Sequence, residues 1–172
     1  MKHLFQLLLK LLGTLPFIGE PMRVVSLDRQ LRALEKENAF QAARELRKKA
    51  FSKISISHQG PILRSEGEDR LYRLNDYRGA LETFERAISV MGKSASLYGV
   101  TSRDRVYAGA SQAALKLGDS QKAQKYYHEF AKMVAELSAN PKLHGSLAWH
   151  TETLRRIESQ INSKNNKKKS NG

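Results

Sequence analysis

Three times along its 172 residues the chain repeats one local pattern, and nothing else constrains its fold as strongly. An Asn or Gly stands five residues before an Ala: Asn38 before Ala43, Asn75 before Ala80, Gly118 before Ala123. The middle copy is the clearest. Asn75 and Asp76 supply turn chemistry, because both side chains bond nearby backbone N–H groups and Asn tolerates left-handed geometry. Tyr77, Ala80, Leu81, Phe84, Ala87 and Ile88 then recur at three- and four-residue steps, one face of a helix. Small Ala80 and Ala87 beside bulky Tyr77 and Phe84 suit a helix lying close to a neighbour. A helical pattern of about a dozen residues precedes each turn. Such a helix–turn–helix unit cannot bury its apolar face alone, so successive units must stack.

These residues resemble the tetratricopeptide repeat (TPR) family, whose unit is two antiparallel helices. The family's Gly-Asp-Tyr turn stands here as Asn75-Asp76-Tyr77, and its Ala…Phe…Ala signature as Ala80, Phe84 and Ala87. In the third copy Tyr127 holds the place of the family's aromatic and Tyr107 that of its Trp. The likeness spans roughly residues 25–137. It implies an all-α fold: an antiparallel helix-pair array of about three TPR-like pairs, with an N-terminal amphipathic helix and a C-terminal capping helix. The chain also departs from the pattern. Asn38 and Asn75 are 37 residues apart and Asn75 and Gly118 are 43 apart, so the connections carry insertions. Arg47 replaces the aromatic of the first copy, and Phe130 the second small residue of the third. Leu31, Glu68 and Ser111 stand where each first helix would carry a small residue.

Composition adds the charge. A formal net charge of +13 favours acidic partners: anionic lipid, nucleic acid or an acidic protein surface. Lys164, Lys167, Lys168 and Lys169 contribute four of those charges from the C-terminal end, so the rest of the chain is basic without them. With no cysteine there is no disulfide framework and no thiolate chemistry, which fits a reducing compartment.

Three regions are expected. Residues 1–20 form an apolar, amphipathic segment in which Leu4, Phe5, Leu7, Leu8, Leu9, Leu11 and Leu12 face a narrow stripe of Lys2, Gln6 and Lys10. Gly13 and Pro16 stop that helix well short of the ~20 residues a membrane span needs. Packing on the array, interfacial anchoring to an anionic membrane and a secretory signal remain open for it. Residues 21–162 form the helical domain, with Ser26 as N-cap of its first helix and a Gly/Ser-rich insertion over 91–102 that folds over a mouth of the groove through Leu97 and Tyr98. Arg44, Arg47, Lys48, Lys49 and Lys53 make a basic outer side on the second helix. Residues 163–172 form a disordered basic tail.

No catalytic constellation is present in the sequence. His3, His58, His128, His144 and His150 are scattered, with none at the helical spacing of a metal pair. Glu66, Glu68 and Asp69 lie among Arg64, Arg70 and Arg73, which reads as an ion-pair lattice rather than an acid–base site. There is no Gly-rich dinucleotide fingerprint and no nucleophile elbow. The expectation is therefore a non-enzymatic, cytoplasmic adaptor, needing no cofactor or metal, that binds a protein or peptide. Peripheral membrane association would run through residues 1–20. The resemblance puts the contact surface on the first helices of successive pairs: Asp28, Arg32 and Glu35, then Ser65, Asp69 and Tyr72, then Arg105, Ala108, Gln112 and Leu115. The competing reading is a basic protein binding nucleic acid or an anionic membrane surface. It is weakened because Tyr77, Phe84, Tyr107 and Tyr127 are assigned to the core and leave few rings to stack on bases.

Overall fold

Residues 19–92, 97–139 and 147–170 are described by a computed structural model, and among them every regular element is helical. Seven α-helices follow in order: α1 (Gly19–Lys36), α2 (Phe40–Phe51), α3 (Gly60–Asp69), α4 (Tyr77–Gly92), α5 (Leu97–Leu117), α6 (Ser120–Ser138) and α7 (Leu147–Ser170). A 3-10 turn, Ile56–His58, leads into α3, and a π-helical turn, Arg70–Leu74, prolongs it. None of the described helices is long and apolar enough to cross a membrane.

The three repeated turns share one backbone signature. Asn38, Asn75 and Gly118 all adopt positive φ, at 59°, 52° and 80°, the left-handed geometry that Asn and Gly tolerate best. Asp76 accepts a hydrogen bond from the Gly79 N–H at 2.9 Å, and Asp119 from the Lys122 N–H at 3.0 Å, so the second and third turns also cap the next helix.

Each helix packs on the next one or two in sequence. The odd-numbered helices also touch in succession, α1 on α3, α3 on α5 and α5 on α7, and so form one continuous layer. The main core lies between α3, α4, α5, α6 and α7 and centres on Phe84. That ring sits between Gly67 of α3 and Gly109 of α5, where a Cβ on either glycine would collide with it. Ala80, Ala87, Ala110, Ala113 and Ala114 let the surrounding backbones close in. Ser111 donates from its hydroxyl to the Ala123 carbonyl at 2.8 Å, tying α5 to α6. A smaller cluster of Leu27, Leu31, Ala43 and Ile62 joins α1, α2 and α3.

Several boundaries differ from expectation. Ser26 is not an N-cap: α1 begins at Gly19, and Ser26 lies inside it accepting from Gln30 at 3.2 Å. Proline in a first turn lacks only an N–H that would be unpaired anyway, so Pro21 permits the earlier start. Most of the expected insertion is helix, since α4 runs to Gly92 and α5 starts at Leu97. The backbone of α7 stays helical to Ser170, across most of the expected tail. Residues 1–18 and the side chains of Leu97 and Tyr98 lie outside the described residues.

Candidate functional site: a groove along the odd-numbered helices

The layer of odd-numbered helices carries a groove of about 560 Å³ lined by Arg32, Glu35, Lys36, Glu68, Tyr72, Arg73, Arg105, Trp149 and Arg156. α1 supplies the first three; Glu68 comes from the end of α3, and Tyr72 and Arg73 from its π-helical turn. Arg105 projects from α5, and Trp149 and Arg156 from α7. The five-residue π turn widens the helix just where Tyr72 and Arg73 face the groove. Tyr72 remains 53% exposed and donates from its hydroxyl to Gln112 Oε1 at 3.2 Å. Trp149 is 40% exposed, with the Arg105 guanidinium 5.1 Å from its ring centre.

The floor is a charge cluster. Arg64, wholly buried, bonds Glu68 and lies 3.4 Å from Asp28 and 3.7 Å from Glu35. Asp28 also accepts from Arg32 at 2.8 Å, Glu35 accepts from the Ser65 hydroxyl, and Glu68 stands 3.8 Å from Arg105. Burial pushes the Glu68 carboxyl above its ordinary range, although Arg64 and Arg105 pull the other way. For Arg64 burial works against the charge, but Glu68, Glu35 and Asp28 more than offset it and hold the guanidinium firmly protonated.

A second cluster lies behind the floor. Asp69 accepts from Arg44 at 2.7 Å and from Arg47 at 2.8 Å, with Arg73 at 3.6 Å, and Arg47 also donates to Ser65 at 2.9 Å. Burial would raise the Asp69 carboxyl, but the hydrogen bonds and charges of the two arginines outweigh it and hold it below the usual carboxylate range. The basic outer side expected of α2 is thus reduced, because Arg44 and Arg47 turn inward to this carboxylate. Arg47 stands where the repeat pattern has an aromatic, and it fills that space with a polar bridge instead.

Of the residues expected to form the contact surface, Arg32, Glu35, Tyr72 and Arg105 come together on the groove. Asp28 serves the floor, and Gln112 braces Tyr72 from beneath. Ser65 and Asp69 are buried and face α2, while Ala108 and Leu115 are buried in the core. Lys36, Glu68, Arg73, Trp149 and Arg156 also line the groove without having been expected there. The last two were not legible in the sequence because α7 read only as a cap.

His150 stands outside the lining of the groove. It is buried, bonds Asp104 of α5 at 2.5 Å and stacks on Phe130, and so pins α7 beside the groove. Among the described residues no group of His, Cys, Asp and Glu is arranged to hold a metal ion. Comparison of the chain with protein-family models, with curated proteins and with solved structures gives no match.

Proposed function

We propose that the chain is a non-enzymatic adaptor, a TPR-like helical array that binds another protein through the groove along α1, α3, α5 and α7. The observation that carries this reading is the pairing of two half-exposed aromatic rings, Tyr72 and Trp149, with an ion-paired polar floor in one open groove. Large aromatics left in solvent beside ordered polar groups are typical of surfaces that anchor a partner. Three left-handed turns at equivalent points support the repeat assignment. The cysteine-free composition suits a reducing compartment such as the cytoplasm.

Selection of a displayed random-peptide library on the full chain tests the proposal. Recovered peptides should lose binding to the Tyr72→Ala and Trp149→Ala variants and keep it for Glu82→Ala, an exposed position on α4. Peptides indifferent to the first two substitutions would put the binding surface elsewhere.

A further inference from the structure

We infer that the groove takes an acidic, extended segment of a partner protein. Its carboxylates meet Lys36, Arg73, Arg105 and Arg156, and its apolar side chains lie on Tyr72 and Trp149. This rests on the groove being the binding surface proposed above. Five cationic side chains line it against two carboxylates, Glu35 and Glu68. Glu35 bonds Ser65, and Glu68 bonds the buried Arg64 while standing 3.8 Å from Arg105; Arg32 and Arg73 lean on Asp28 and Asp69, so the unpaired charge of the rim sits on Lys36 and Arg156. Among the described residues Lys36 and Arg156 have no ion-pair partner at all. Like charges gathered in a concave, partly dry site focus a positive potential that attracts anions.

Spacing separates a peptide from a nucleic acid. A nucleic-acid strand carries a phosphate at every nucleotide, so some phosphates would have to lie over Glu35 and Glu68. A peptide can alternate carboxylates with apolar residues, because successive side chains of an extended chain point to opposite sides. Its backbone N–H groups can then face the two floor carboxylates, which are acceptors only. Arg105 beside the Trp149 ring offers both contacts at one point, a guanidinium for a carboxylate and an indole face for the neighbouring aliphatic chain.

Trp149 is the only tryptophan in the chain, so its fluorescence reports directly on the groove. The full chain would be titrated with a short synthetic peptide alternating Glu and Leu, with its Gln-for-Glu and Lys-for-Glu counterparts, and with an oligouridylate. The Glu peptide should shift Trp149 emission and bind at least about tenfold more tightly than the Gln peptide. Lys36→Glu and Arg156→Glu, both at exposed positions, should each weaken it several-fold, and added salt should weaken it further. Equal affinity for the Glu and Gln peptides would overturn the acidic partner while leaving the adaptor reading intact. Tighter binding of oligouridylate would overturn the choice of a protein partner. A groove silent to every probe would overturn the acidic partner, and the adaptor reading would stand or fall on the library selection above.

Discussion

Two joints between the helices are built from opposite materials. Where α3, α4 and α5 meet, Phe84 is enclosed between two glycines and a row of alanines, and backbones approach closely around an apolar ring. Where α1 and α2 meet α3, the apolar cluster is small and the joint is completed by Arg64 with three carboxylates and by Arg44 and Arg47 on Asp69. The contrast shows where each kind of cohesion suffices. Apolar packing closes the middle of the molecule, whereas the groove's floor has to present charge at the surface and so carries charge inward. A buried ion cluster adds little net stability over an apolar equivalent, but losing one member is costly.

The largest effect should come from breaking the apolar joint. Phe84→Ala leaves a cavity between three helices and should cost up to about 5 kcal/mol in denaturant unfolding. Next comes the polar joint: Arg64→Met strands Asp28, Glu35 and Glu68 and should cost about 3 kcal/mol. An Arg64→Met variant as stable as the parent would show that the carboxylates find other partners, and the contrast would fail. Gly118→Ala touches neither joint. A Cβ there meets no atom within 4 Å, so its expected cost of roughly 1–2 kcal/mol reflects the left-handed backbone alone.

The mildest perturbation is acid. Asp69 has a folded pKa below its unfolded one, so the stability it lends is complete above the ordinary carboxylate pKa of about 4 and is lost as pH falls through the lower folded value. Glu68 is shifted upward and acts in the opposite sense, since its protonation relieves a buried charge. Hydrogen exchange followed down the pH scale should therefore release α1 and α2 before α4 and α5. Simultaneous release would mean that the two joints are not separable.

The apolar joint was legible in the sequence because its signals are local. Ala80, Phe84 and Ala87 sit on one helical face, and Asn38, Asn75 and Gly118 mark turns whose chemistry is fixed by the residue itself. The slot in Gly67 and Gly109 was not legible, since nothing local shows that two distant glycines face one ring. The polar joint was harder still. Arg47 and Asp69 are 22 residues apart and Arg64 and Asp28 are 36 apart, and such pairings leave no periodic trace. Of the residues named from the sequence, Arg32, Glu35, Tyr72 and Arg105 line the groove. Ser65 and Asp69 are buried instead, Asp69 on the arginines of α2 and Ser65 between Arg47 of α2 and Glu35 of α1.

The Phe84 slot also has a mechanical consequence. A ring wedged between two Cβ-less positions on separate helices acts as a pin, so α3 and α5 cannot slide past each other unless α4 withdraws. The joint at α1 and α2 is held instead by long, flexible side chains whose charges can trade partners over small displacements. Any relative displacement of the helices under load should therefore be taken up between α1 and α3. Distances between spin labels on α1 and α5 should then broaden or shift on loading, while those between α3 and α5 stay fixed.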